Sequence, residues 1–293
     1  MSTDPSTAVT RLRAPRKFGS SRSLCTTRNS IGERPVPKVK VIGPTTIFRG
    51  EFSPSVGFYM VLCEGKRNTS MCLLKHFASN QRVDWAREVE VLMRLHSNGS
   101  HANIIQYMWH GQGFCVSDMI VNQLYMTFSQ HRLLCYDFRT STTLTDYLNK
   151  TRKTPGLLPQ LILAIGSDVI NALRHLKLCD VIHNHVVPSN ILIEYSTGVP
   201  PIKAILGGFG RAVYLNSFKR LNNSKGKDHE TDIAQYGHLL RHLLDHSPDT
   251  NGHNQIFRVA DRCIQEFNRP TVNAVREMLD EAWDECDTWD TVL

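Results

Sequence analysis

The sequence predicts an α+β fold of two lobes: a small lobe rich in strands with one helix, then a larger, mainly helical lobe. Three observations predict it. Short β-branched and apolar runs broken by Gly and Pro fill residues 39–77. Apolar residues at helical spacing dominate after Thr143. No internal repeat interrupts the series.

The elements follow in order. "VKVIGPTTIFRGEF" reads as two short strands, and "YMVLCEG" and "SMCLLKHF" as two more. "VDWAREVEVLMRLH" is a helix, with Val89, Leu92, Met93 and Leu95 at helical spacing. "IIQYMWHG", "QLYMTFS" and "HRLLCYDF" return to strand. "TLTDYLNK" and the long "PQLILAIGSDVINALRHLKL" are helices. A strand pair is expected around "VIHNHVVPSNILIEY" and "IKAILGGFG". "DIAQYGHLLRHLLDH" and two segments near 256–267 and 271–286 complete the helical lobe.

Of 293 residues, 41% are apolar and 21% charged, an ordinary globular composition. No run is apolar and long enough to span a membrane, and residues 1–30 lack the apolar core of a signal peptide, so a cytoplasmic protein is expected. Arg11, Arg13, Arg16, Lys17, Arg22, Arg28 and Arg34 meet only Asp4 and Glu33, so most of the +7 net charge sits in residues 1–37. That stretch is rich in Ser, Thr, Pro and Arg and reads as a disordered basic tail. Nucleic acid is an unfavoured partner, because the charge lies outside the fold and without interleaved aromatics. None of the eight cysteines forms C-x-x-C, so they read as buried reduced thiols.

The motifs, taken in order, resemble those of the protein kinase family over residues 39–285. "CLLK" resembles the strand that ends in the phosphate-pairing lysine, here Lys75, and Glu88 resembles its partner on the first helix. "HANIIQY" resembles the H-x-N-I turn, and "LLCYDF" the hinge, with Tyr136 at the gate. "VIHNHVVPSNILIEY" aligns with the catalytic loop, "GGFG" with D-F-G, "TDIAQYGHLL" with a helix start, and "CIQEFNRPT" with the closing R-P-T. The resemblance implies a kinase-like domain over 38–293, with a small lobe at 38–136 and a helical lobe at 137–293. It also implies a shortened activation segment, since residues 211–231 hold no A-P-E.

By the same resemblance, the chemical positions are altered. His185 stands where the family has its base aspartate, Asn184 replaces the preceding arginine, Val187 the lysine, and Gly208 the metal-binding aspartate. Asn190 is kept, but one neutral amide is a poor site for a hard dication. The glycine-loop positions hold Lys40, Ile42 and Thr45, with Gly43 one place off. His185 can accept a proton near neutral pH, yet a positioned base supplies only about 10²–10⁴-fold. Glu194 as a displaced base reads as a solvated charge at a turn. Lys75, Glu88 and Asn190 are thus a vestigial nucleotide site, narrowed by Leu73 and Tyr136. No cofactor, no metal and no catalysis are expected: the reading is a pseudokinase, not an enzyme.

Two histidine sets invite a metal reading. The H-N-H string at His183–His185 lacks an acidic cluster. His238, His242 and His246 share one helix face, but Leu239, Leu240, Leu243 and Leu244 mark that helix as core, and rim histidines are the simpler account.

The family's structural positions survive in His183, Phe209, Leu92, Asp232 and Arg269. "TTIFRGEF" resembles a loop of the mixed lineage kinase domain-like family, pseudokinases that execute necroptosis. A kinase-like chain preceded only by a basic tail resembles virus-encoded decoys that hold a receptor-interacting-type kinase. The expected function is therefore protein–protein interaction with a kinase or signalling scaffold, inhibiting cell-death signalling. The alternatives are an atypical active serine/threonine kinase and a basic-tailed nucleic-acid-binding protein.

Overall fold

A computed structural model describes residues 9–11, 38–44, 56–64, 69–114, 130–137, 141–151, 156–195, 202–215, 229–247 and 253–287. The chain forms two compact units, Met1–Trp85 with Tyr107–Phe138, and Ala86–Gln106 with Arg139–Leu293. The first is strand-rich and the second mainly helical, a mixed α/β organisation compatible with a protein kinase-like fold. The first helix, expected in the small lobe, groups from Ala86 with the helical unit.

The first unit is built on one six-stranded antiparallel sheet. Its strands are β1 (Val9–Arg11), β2 (Lys38–Pro44), β3 (Val56–Glu64), β4 (Thr69–Phe77), β5 (Tyr107–Phe114) and β6 (Gln130–Asp137), in the order β1-β2-β3-β4-β6-β5. β1 corrects the reading of residues 1–37 as wholly disordered: Val9–Arg11 pairs with Lys38–Lys40. The glycine-loop positions Lys40 and Ile42 lie in β2, whose register slips between Val41 and Gly43. Thr45, the 45–52 segment and the predicted strand 123–129 fall outside the described residues. β4 is central and buried over most of its second half, with Cys72, Leu73, Leu74, Lys75 and Phe77 shielded from solvent and Met71 exposed. Such a strand reads as a continuous apolar run because both faces are covered. Trp85 is buried in the same unit, where its indole N–H donates to the Leu133 carbonyl over 3.1 Å.

The helical unit is organised around a long buried helix. Its helices are α1 (Arg82–Ser97, from Ala86 onward), α2 (Leu144–Thr151), α3 (Pro159–Leu178), α4 (Glu230–Leu244), α5 (His253–Ile264) and α6 (Val272–Asp287). α3 starts with Pro159, whose fixed φ and missing N–H suit a first helical position. Ile162, Leu163, Ile165, Val169, Ile170, Leu173 and Leu176 bury it nearly all round. A Cβ on Gly166 would lie 2.9 Å from the Tyr236 hydroxyl, and one on Gly237 would lie 2.8 Å from the Ala260 carbonyl. These two glycines let α3 approach α4, and α4 approach α5, closely.

Short strands complete this unit: β7 (Ser141–Thr143), β8 (Val181–Ile182), β9 (Ile191–Tyr195), β10 (Ile202–Leu206) and β11 (Val213–Tyr214). β9 lies between β10 and β7, and β11 pairs with β8. Glu194, expected at a turn, sits inside β9 opposite Lys203 and Ser141. "IIQ" (104–106), expected to open a strand, does not: Ile104 makes an isolated bridge to Leu206, and β5 starts at Tyr107. The four cysteines with described side chains, Cys72, Cys135, Cys179 and Cys263, are buried. Among the described residues no helix is long and apolar enough to cross a membrane.

Candidate functional site

The turn between β8 and β9 is held by side chains that reach back from elsewhere. Asp232, in the first turn of α4, accepts from the His183 N–H and the Asn184 N–H, each over 2.8 Å. Hydrogen bonds to an ionised acceptor are worth about 1.5–3 kcal/mol each, so this carboxylate is the main anchor of the loop. Burial pushes its carboxyl up to about 6, against the opposing pull of the two N–H donors. One turn further on, Gln235 takes both remaining partners: its Oε1 accepts from the Val186 N–H over 2.7 Å, and its Nε2 donates to the Asn184 carbonyl over 3.0 Å. Asn184 adopts φ +61°, a left-handed conformation that asparagine tolerates better than most residues.

His183 is fully buried. Its Nε2–H donates to the Gly207 carbonyl over 2.8 Å, and its Nδ1 accepts from the His185 N–H over 3.3 Å. This pair of partners fixes a neutral ring, and burial drives its pKa down to about 4. The ring meets Phe209 edge-on with centroids 4.9 Å apart.

Asn190 closes the loop. It ends a short 3-10 turn, Pro188–Asn190, with its N–H on the Val187 carbonyl over 2.9 Å. Its side-chain amide donates to His185 at Nδ1 (3.1 Å) and at the carbonyl (3.0 Å). Gly208 stands against it at φ +72°, and a Cβ there would lie 1.8 Å from Asn190 Oδ1. The asparagine thus fills the space that any side chain at 208 would need.

His183, Asn184, His185, Asn190, Gly208, Phe209 and Asp232 therefore come together in one cluster, with Val187 half-buried beside it. Arg269 stands apart. It donates to the Cys263 carbonyl over 2.9 Å and to the Glu230 carbonyl over 3.3 Å, tying the end of α5 to the start of α4. In the strand-rich unit Lys75 is buried on β4, its ammonium 4.7 Å from the Phe77 ring centre. Leu73 faces Tyr136 directly across the β4–β6 ladder, and both are buried. Glu88 and Leu92 are buried on α1.

Gln235 was invisible to sequence reasoning. Its only signal is its spacing: it follows Asp232 by three residues and so shares its helix face. Asn103 and Asp168 belong with it, since Asn103 donates to the Ala204 carbonyl over 3.0 Å and Asp168 accepts from the Ala204 N–H over 2.8 Å. Both brace β10, which leads into Gly207 and Gly208. Of the three histidines expected on one helix face, His238 and His242 are exposed on α4, and His246 is half-buried in the turn beyond its end at Leu244. Among the described residues no group of three or more His, Cys, Asp and Glu is placed to hold a metal.

No family model matches the chain. The chain is 27% identical, over 242 residues, to the probable serine/threonine-protein kinase irlA of Dictyostelium discoideum, a match covering 71% of this chain. The chain spans 16% of that relative's length. The similarity supports a protein kinase-like fold, in agreement with the order of strands and helices. It also corrects the expectation that the chain is not an enzyme, because the relative is named as a probable kinase. The physical reason is plain. Replacing the family residue at 185 or 208 removes one group, and does not establish that no other group does its work.

Proposed function

We propose that this chain is a kinase-like binding module that engages a protein kinase or signalling scaffold, a receptor-interacting-type kinase first among them, and so restrains cell-death signalling. The observation that carries the reading is the closure of the 183–190 loop upon itself. Asp232, Gln235, His183 and Asn190 direct their hydrogen bonds to the loop and its immediate neighbours, so its shape needs no ligand. The likeness of residues 45–52 to the mixed lineage kinase domain-like family supports the cell-death class of partner. By family analogy the contact lies on the strand-rich part and α1.

The test is a titration of the full chain against a purified receptor-interacting-type kinase. Arg87, exposed on α1, is expected to matter: Arg87→Glu should weaken binding at least about tenfold, since a charge mismatch at an interface costs several kcal/mol. Neutralising the seven basic residues of 1–37 should leave binding unchanged. Loss of binding on neutralising the tail, with Arg87→Glu silent, overturns the proposal.

Phosphoryl transfer to a serine or threonine hydroxyl is the second reading, favoured by the name of the Dictyostelium relative. In it the hydroxyl oxygen bonds to the terminal phosphorus of ATP, the bridging P–O bond breaks, ADP leaves, and the hydroxyl proton is released to solvent. Transfer from labelled ATP with magnesium or manganese, abolished by Lys75→Met, would establish it. Transfer that survives Lys75→Met marks a contaminating kinase.

A further inference from the structure

We infer that Asn190 is a positioning residue that holds His185 as the neutral imidazole with its hydrogen on Nε2, so that this ring is a hydrogen-bond donor there and not a proton acceptor. The inference rests on the loop geometry and on neither reading of function.

The orientation of the amide comes first. The Asn190 nitrogen lies 3.0 Å from the His185 carbonyl oxygen, an atom that only accepts. The reversed amide would set two oxygens against each other at that distance. The –NH2 has two hydrogens, and the His185 Nδ1 lies 3.1 Å from the same nitrogen. Nδ1 therefore accepts the second hydrogen. A neutral imidazole that accepts at Nδ1 carries its own hydrogen on Nε2.

The other end of the amide explains why position 208 is glycine. Asn190 Oδ1 is buried and has no partner among the described residues. It faces the Gly208 backbone, where a Cβ would lie 1.8 Å away. Any side chain at 208 therefore displaces Asn190 and releases His185. Leaving a buried acceptor unpaired is costly. Here the two bonds made by the other end of the amide offset that cost. His183 reaches the same tautomer through separate contacts, with Nε2–H on the Gly207 carbonyl and Nδ1 accepting from the His185 N–H.

Long-range ¹H–¹⁵N spectra of the full chain at neutral pH read the tautomer directly. The wild type is expected to show a pyridine-type Nδ1 and a pyrrole-type Nε2 for both His183 and His185. Asn190→Asp replaces the donor with a group that only accepts, so the His185 hydrogen should move to Nδ1 while His183 is unchanged. His183 is thus the internal check that the loop is still folded. Gly208→Ala displaces Asn190 without altering its chemistry and should move the His185 signals alone. A wild-type His185 protonated on Nδ1 overturns the inference, even if neither variant folds. So does an unchanged His185 tautomer in Asn190→Asp with His183 intact, or unmoved His185 signals in Gly208→Ala.

Discussion

The loop at 183–190 is partly buried and the middle of the strand pair β4–β6 fully so, and they are held in opposite ways. The loop is specified by polar atoms with single partners: one carboxylate, one glutamine and one asparagine account for most of its bonds. The strand pair is specified by register, with Leu73 opposite Tyr136 and Lys75 opposite Leu134, and by apolar volume. The loop therefore depends on which residue stands at each position, and the strands depend on how much space each residue fills.

The largest break in that comparison should come from Asp232→Ala. It strands two backbone donors, at about 1–3 kcal/mol each, for a total of about 2–6 kcal/mol. Urea unfolding measures it, and a loss below about 1 kcal/mol would mean the loop is not held by this carboxylate. Leu73→Ala should cost about 2–5 kcal/mol by leaving a cavity at a fully buried position. Leu73→Met, which keeps the volume, should cost under about 1.5 kcal/mol. No such tolerant exchange is expected at Asp232, where even asparagine replaces one of the two acceptor oxygens with a donor.

Gly208→Ala comes next, at about 1–3 kcal/mol for a side chain at positive φ, with the displaced Asn190 added. The smallest effect is the pH dependence of the wild type. Asp232, raised to about 6 from 3.8, keeps an extra proton in the folded state between those values, so its contribution to stability falls as pH rises through that window. His183, lowered to about 4 from 6.5, lacks a proton in the folded state over nearly the same range, so its contribution rises with pH. The two slopes oppose, and unfolding midpoints should change little between pH 4 and 6 from this pair. His183→Gln should uncover the fall due to Asp232. A midpoint that rises with pH in this variant would show that the two N–H donors outweigh burial at Asp232.

Much of this arrangement was legible in the sequence. α3 spans Pro159–Leu178, as its apolar spacing predicts, because a helix buried all round announces itself in composition. Motif order was enough to single out His183, Asn190, Gly208 and Asp232. What stayed hidden depends on contacts across long stretches of chain. β7 is three polar residues whose strand character comes wholly from pairing with β9. Ile104 and Ile105 are apolar because they are buried, and the segment is held by hydrogen bonds to Leu206 instead of a ladder. Gln235 looks like any solvated glutamine until the loop is placed against it.

The clamp at Asp232 has a consequence for how the chain opens. Pairing of β8 with β11 ends at Ile182, so no ladder protects the next two amides. Those of His183 and Asn184 are covered by a carboxylate that arrives 49 and 48 residues later. Their exchange with deuterated solvent should therefore follow the detachment of α4 from the loop, and not the fraying of their own turn. Two amides in a turn thus become a gauge of whether a distant helix is docked, readable residue by residue without any ligand or partner.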